Sequence, residues 1–294
     1  MPPEIPMTLA EAARAAQQAL SAAGVEDAGR DARLLTAAAA GVSTADIIGR
    51  PEQRLSTEAQ VRLQQMVERR SAREPVSRIL GEREFYGRSF ALSAATLDPR
   101  PDSETLIGAA LELAAHEGWG EAPIRILDIG TGTGCLLLTL LAELPNATGL
   151  GTDISEAALE TARQNAQVLG LAERAAFARH DMLDGVAGPF DLVISNPPYI
   201  ASGDIPVLAP EVREYDPPAA LDGGPDGLAF YRRISHGLDG VLRGWVVLEL
   251  GMGQADAVAL LLQQAFVKTL CAEVRRYDDL GGHTRCVALR LHSH

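Results

Sequence analysis

Apolar positions along this chain follow three rhythms. From residue 8 to about 73 they recur every three to four residues, the spacing of helices with one buried face. Thr8-Leu9-Ala10-Glu11 has the form of a capping box and opens a helix that should stop near Gly24. A second helix is predicted over 27–40 with Gly41 as its stop. A short one near 45–49 is broken by Pro51, and a longer one over 57–73 is capped by Ser56 and ended by Pro75. Residues 78–90 alternate instead, which predicts a β-hairpin turning at Gly87. The prolines of Pro99-Arg100-Pro101 impose an extended approach, and Asp102 or Ser103 caps a helix reaching His116.

From Ile124 the pattern changes again, to short apolar runs alternating with amphipathic stretches. Strands are expected over 124–128, 147–152, 175–179, 191–195, 245–249, 272–277 and 285–291. Helices are expected over 135–144, 155–169, 228–242 and 253–265. Such alternation predicts a doubly wound α/β sheet. Only Asp278-Asp279-Leu280-Gly281-Gly282-His283 separates the last two strands, too little for a crossover helix, so they should pair antiparallel. The expected organisation is a helical domain over 1–74, a hairpin linker over 75–101 and an α/β domain over 102–294.

Composition narrows the class. The chain has 294 residues, 47% of them apolar and 22% charged, as in ordinary globular proteins. No apolar run approaches the roughly 20 residues of a membrane span, and Met1 to Pro6 lacks the features of a secretory signal. Three cysteines, Cys135, Cys271 and Cys286, without metal-ligand spacing suggest reduced thiols and a cytoplasmic protein. The net charge is −13, and residues 102–294 hold 26 of the 39 acidic side chains. A duplex nucleic-acid binder normally carries a basic face, so direct nucleic-acid binding is not expected. Arg62, Arg69 and Arg73 fall on one face of the fourth helix, either as a solvated face or as a docking surface for a macromolecule.

Four strand ends carry candidate chemistry. Asp128-Ile129-Gly130-Thr131-Gly132-Thr133-Gly134 follows the first strand. It lacks the Gly-Lys-Ser/Thr ending of a phosphate loop, and Cys135 stands where the dinucleotide fingerprint needs its third glycine. A ligand without phosphates fits better, and a plain helix-entry turn is the alternative. Asp153 ends the next strand, where an acid can hold a ribose diol or simply help Ser155 cap the helix. Asp181 and Met182 follow the third, an acceptor for an adenine amino group and an apolar side chain to pack on the ring. After the fourth strand come Asn196-Pro197-Pro198-Tyr199. The prolines end the strand and stiffen a rim that offers a side-chain amide, backbone carbonyls and an aromatic ring. Alone, this is also a common proline turn. Together the four lie where open α/β sheets bind ligands, in the order of S-adenosylmethionine-dependent methyltransferases that modify planar nitrogens.

The match with one family is closer. Alongside the helical N-terminal stretch, the Gly81-to-Gly87 segment, Pro99-Arg100-Pro101-Asp102-Ser103-Glu104, the glycine loop and Asn196 to Tyr199 are similar to the HemK/PrmC family, the release factor glutamine N5-methyltransferases. Leu221-Asp222-Gly223-Gly224-Pro225-Asp226-Gly227-Leu228 and Glu249-Leu250-Gly251 with Gln254 also fit. Ser103 stands where the family commonly has threonine, and Asp216 where it has glutamate. The resemblance implies a Rossmann-like class I methyltransferase sheet with an antiparallel C-terminal strand, and a small helical domain for substrate docking. It implies methyl transfer from S-adenosylmethionine, leaving S-adenosylhomocysteine, to the glutamine of the Gly-Gly-Gln motif in class I peptide chain release factors. Gly130 to Gly134, Asp153, Met182 and Asn196 would line the cofactor, and Asn196 to Tyr199 would hold the glutamine.

An amide nitrogen is a poor nucleophile because its lone pair is delocalised. Acceptors at the Asn196 side chain and the Pro197 carbonyl would hold both N–H bonds and aim the lone pair at the methyl, while Tyr199 fixes the amide plane. The same clamp suits an exocyclic amine, so an adenine-N6 nucleic-acid methyltransferase is the nearest rival. A non-catalytic interaction protein is disfavoured by intact Asp128, Asp153 and Asn196, and a nicotinamide oxidoreductase by Cys135.

Overall fold

The computed structural model describes residues 7–266 and 273–291. Cys271, the start of the strand expected from 272 and the Met1–Pro6 stretch lie outside the described residues. The chain divides into two compact units, one of Met1–Glu82 with Ala209–Tyr215 and one of Arg83–Leu208 with Asp216–His294.

In the first unit, α1 (Leu9–Ala22), α2 (Ala28–Ala40), α3 (Thr44–Gly49), α4 (Thr57–Ser71) and α5 (Val76–Leu80) enclose one apolar core that includes Leu9, Leu20, Leu35, Leu63 and Ile79. Local chemistry sets the boundaries. Thr8 and Glu11 form the expected capping box, with Thr8 Oγ1 accepting from the Glu11 N–H at 3.2 Å. Gly41 closes α2 in the left-handed region at φ +68°. The turn α5 is not visible in the sequence pattern; Pro75 pre-sets its entry and Gly81, at φ +77°, stops it.

The three arginines expected on one face find partners within the unit, while Arg62 and Arg69 stay exposed and Arg73 is half-buried. Arg62 donates to the Ala39 carbonyl at 2.7 Å, and Arg69 pairs with Glu74. Arg73 lies beyond the helix at φ +73° and pairs with Glu211 at 2.7 Å. Glu211 belongs to a single helical turn, Pro210–Arg213, which returns to this unit from the second half of the chain. Buried Arg70 joins Asp31 at 2.7 Å and Glu211 at 3.2 Å.

The second unit opens with the hairpin β1 (Glu82–Phe85) and β2 (Arg88–Ala91), whose turn places Tyr86 and Gly87 both at positive φ. Then come α6 (Glu104–His116), β3 (Arg125–Ile129), α7 (Cys135–Glu143), β4 (Thr148–Asp153), α8 (Glu156–Val168), β5 (Ala175–Arg179) and β6 (Phe190–Ser195). They are followed by α9 (Ala229–Gly237), β7 (Leu242–Glu249), α10 (Ala255–Ala265), β8 (Glu273–Asp278) and β9 (Thr284–Arg290). The helix expected to reach 242 ends five residues sooner, and β7 starts where it was to finish.

Seven strands form one sheet in the order β5-β4-β3-β6-β7-β9-β8. All neighbours from β5 to β7 are parallel, and β9 runs antiparallel between β7 and β8. Strand residues alternate between two cores. Ile126, Leu192, Ile194 and Trp245 face α6 and α7, while Leu127, Val193, Val246 and Leu248 face α9 and α10. Burial on both faces explains why these strands read as continuous apolar runs. The chain winds outward from β3 through β4 to β5, then returns to the other side of β3 as β6. That reversal opens a crevice at the carboxyl ends of β3 and β6.

Removing Asp31 takes away the closest carboxylate of a buried arginine. Asp31→Ala is expected to destabilise the helical unit by about 3 kcal/mol, read as a lower urea midpoint with unchanged slope. An unchanged midpoint would show that the Arg70 pair contributes nothing.

Candidate active site

The two loops at the crevice start from paired residues. Ile129 and Ser195 are neighbours in register, and Ser195 Oγ donates to the Ile129 carbonyl at 2.7 Å. Gly130 and Asn196 therefore leave adjacent strands side by side.

The glycine loop divides by function. Gly130, Gly132 and Gly134 all have positive φ. A Cβ on Gly134 would lie 3.1 Å from Leu138 and 3.2 Å from Ala162, so this glycine serves close packing of α7. A Cβ on Gly130 or Gly132 would meet nothing within 4 Å; these two turn bare backbone toward open space. Thr131 and Thr133 point inward. Thr131 Oγ1 donates to Asp128 Oδ2 at 2.7 Å, and Thr133 Oγ1 accepts from the Cys135 N–H at 3.3 Å. Asn165 of α8 holds the Thr133 carbonyl at 2.9 Å and both polar backbone groups of Ala91.

Asp128 is fully buried, and its Oδ1 has no hydrogen-bond partner among the described residues. Burial, reinforced by nearby Asp153, pushes its carboxyl up to about 7 against the opposing Thr131 hydrogen bond. Asp153 Oδ2 accepts from the Gly132 N–H at 3.0 Å and Oδ1 from the Ser155 N–H at 2.9 Å, while Ser155 Oγ caps α8. Asp153 thus braces the loop while its remaining lone pairs stay available. Asp181 is exposed and bridges to Arg233 at 2.8 Å. Met182, next to it, adopts φ +58° and packs partly against the α9 side of the core.

Asn196 donates through Nδ2 to Ser103 Oγ at 3.2 Å, which turns its Oδ1 to the other side. Pro197 is buried, and Pro198 and Tyr199 are half-buried. The rim is held by close backbone approach. A Cβ on Gly223 would lie 2.8 Å from the Pro198 carbonyl oxygen, and one on Gly227 would collide with the Tyr199 carbonyl. A Cβ on Gly251 would come within 3.1 Å of the Tyr199 ring. Gln254 donates to the Tyr199 carbonyl at 3.0 Å and accepts from the Gly251 N–H at 2.9 Å. Burial, with the charge of Glu249, pushes the Tyr199 phenol up to about 12, so it stays neutral. Pattern reading gave Ser103 only a helix-capping role and gave none to Gly223, Gly227, Gly251 or Gln254; these four lie in segments whose signal was family resemblance.

An open, mostly parallel sheet with an antiparallel penultimate position, a bare glycine turn and an Asn-Pro-Pro-Tyr rim at its switch point defines a class I S-adenosylmethionine-dependent methyltransferase. Comparison narrows the class. The PrmC N-terminal domain model matches residues 11–81, and the methyltransferase small domain model matches 112–209. A release factor glutamine methyltransferase of Rhodospirillum rubrum is 48% identical over 92% of this chain and 81% of its own length. That of Cereibacter sphaeroides is 44% identical over 97% and 99%. The chain belongs to the release factor glutamine methyltransferase family. The fold recurs in the N-terminal domain of human METTL16 in complex with SAH, with a TM-score of 0.52 at 18% identity over 83% of this chain and 87% of that one. Among the described residues no helix is long and apolar enough to cross a membrane, and no cluster could hold a metal ion.

The donor set fits the cofactor: bare glycine backbone, an acid with spare lone pairs at the end of β4, and an unpartnered buried carboxylate oxygen beneath the turn. Gly132→Val forces a β-branched residue into φ +55°, at roughly 1–2 kcal/mol. S-adenosylmethionine binding should weaken about tenfold or more by calorimetry, and unchanged binding would argue against this loop.

Asp128 also sets a pH signature. Between about 4 and about 7 the folded chain keeps a proton that the unfolded chain releases, so this group's contribution to stability falls as pH rises through that window. Asp128→Asn does not titrate. Its stability relative to the parent should rise from pH 4 to 7 by at most about 4 kcal/mol and then level off, as read from denaturant midpoints. A gap independent of pH would contradict the raised carboxyl.

Proposed function

We propose that this chain methylates the side-chain amide nitrogen (N5) of the glutamine in the Gly-Gly-Gln motif of class I peptide chain release factors. The observation that carries the reading is the Asn196 side chain, its Nδ2 committed to Ser103 and its Oδ1 left to accept, on the strand end beside the glycine turn. S-adenosylmethionine supplies a methyl group activated on a sulfonium.

The chain's own residues do the rest. Gly130 and Gly132 admit the cofactor to the backbone, and Asp153 takes a ribose hydroxyl on its free lone pairs. Asp128 takes a donor from beneath the loop, while Asp181 and Met182 border the base. Asn196 Oδ1 and the Pro197 carbonyl accept the two N–H bonds of the glutamine amide. With both held, the nitrogen lone pair projects out of the amide plane toward the methyl, and the polarised N–H bonds raise its electron density. The Tyr199 ring, fixed by Gly251 and Gln254, stacks on the amide and sets its plane. Positioning of this kind supplies up to about 7–11 kcal/mol of barrier reduction. The proton released after transfer goes to solvent. The helical domain serves to dock the release factor, in keeping with its match to the PrmC N-terminal model. The excess of acidic over basic side chains in residues 102–294 favours a protein over a nucleic acid as substrate, and a cytoplasmic location follows from a substrate used in translation.

Mass spectrometry of a release factor incubated with enzyme and S-adenosylmethionine should show one added methyl on that glutamine, and DNA offered in its place should gain none. Asn196→Ala should lower turnover at least about 100-fold with cofactor affinity within about twofold. Full activity in that variant would exclude the clamp.

A further inference from the structure

The turn that follows β5 is held in an unfavourable shape. It runs from His180 to Gly185, and Met182 near its centre sits at φ +58°. A residue with a side chain persists in that region only where its surroundings hold it there. The His180 N–H donates to the Asp153 carbonyl at 3.1 Å, so the turn begins against the residue whose carboxylate braces Gly132. His180 Nδ1 lies 2.8 Å from the Asp184 carbonyl oxygen, and the Asp184 N–H donates to the Asp181 carbonyl at 3.2 Å. Helix α9 supplies the remaining support. A Cβ on Gly237 would lie 2.9 Å from Leu183, so the helix packs directly on the turn. Arg233 Nη2 lies 2.8 Å from Asp181 Oδ1 and 3.9 Å from Asp184 Oδ2.

Arg233 thus serves both acids that flank Met182. Without it, the like charges of Asp181 and Asp184 would repel across the turn and favour its opening. The arginine is itself well placed, because Tyr231 and Ile234 on either side of it are buried in the core. It contacts Oδ1 of Asp181 and leaves Oδ2 to accept. An exposed ion pair adds little to the stability of a fold. The effect of this one is to fix where Asp181 points.

We propose that Arg233 is a positioning residue for the cofactor base: it holds Asp181 as the acceptor of the adenine exocyclic amino group, and so sets the preference for adenine over a purine without that group. The proposal rests on the reading in which Asp181 and Met182 border the base. It explains why a left-handed methionine is kept beyond the end of β5, and why α9 sends an arginine to two acids of one turn.

Calorimetric binding of S-adenosylhomocysteine, and of its analogue lacking the exocyclic amino group, to the full chain tests it. The parent should bind S-adenosylhomocysteine at least about tenfold more tightly than the analogue, the effect of one hydrogen bond to a charged acceptor. Asp181→Ala should abolish that preference. Arg233→Met should weaken S-adenosylhomocysteine about fivefold and leave the analogue within about twofold of the parent. Arg233→Lys, which keeps the charge, should recover part of the loss. The double variant should bind as Asp181→Ala does, since both act through one carboxylate. Parental affinity for S-adenosylhomocysteine in Arg233→Met, or a loss shared equally by both ligands, would overturn the proposal. If Asp181→Ala keeps the parent's preference, the placing of the base falls and the proposal with it. If Asp181→Ala loses the preference while Arg233→Met keeps it, only the proposal falls.

Discussion

The reversal of strand order at β3 is the constraint on which the site depends. Parallel neighbours bring their carboxyl ends to one edge, but crossover helices normally cover the space between consecutive strands. Where the winding changes direction, β3 and β6 lie adjacent without sharing a connection, and their loops part. The Ser195 hydroxyl on the Ile129 carbonyl fastens the two strands at the last residue before they diverge. The glycine turn and the asparagine–proline rim are thus held at fixed separation by the sheet itself.

Rigidity at that opening comes from absent side chains as much as from present ones. Gly223, Gly227 and Gly251 let three segments press against Pro198 and Tyr199, and Gln254 stitches two of those segments to the Tyr199 carbonyl. On the opposite bank, Asp153 and Asn165 tie the glycine turn to β4 and to the hairpin. Both banks are backbone surfaces braced from behind by side-chain amides and carboxylates, which suits chemistry that proceeds by orientation alone.

Two buried carboxyls flank this arrangement, each raised to about 7 chiefly by loss of solvent and each with one oxygen unpartnered. Burying such groups is costly. They are Asp128 and Glu249, at the ends of β3 and β7, either side of β6. The cost sits in the unit whose sheet is covered on both faces.

Much of this was legible in the amino-acid sequence. Periodicity separated the helical stretch from the α/β stretch, and turn chemistry at Thr8, Gly41 and Gly87 marked its local boundaries. The brevity of residues 278–283 foretold the antiparallel β9. Strand ends named Asp128, Asp153 and Asn196, because a polar residue or proline that stops an apolar run is a local signal. Local signals missed whatever depends on partners distant in the chain. Arg62, Arg69 and Arg73 read as a solvated or docking face, and their partners Ala39, Glu74 and Glu211 come from segments that the local pattern does not link to them. Ser103 looked like a helix cap until Asn196, 93 residues away, claimed its hydroxyl. Sequence pattern records which side chains are buried and where the backbone turns. Which way an amide points, and which buried oxygen stays unpaired, is decided only when strand order brings separate segments into contact.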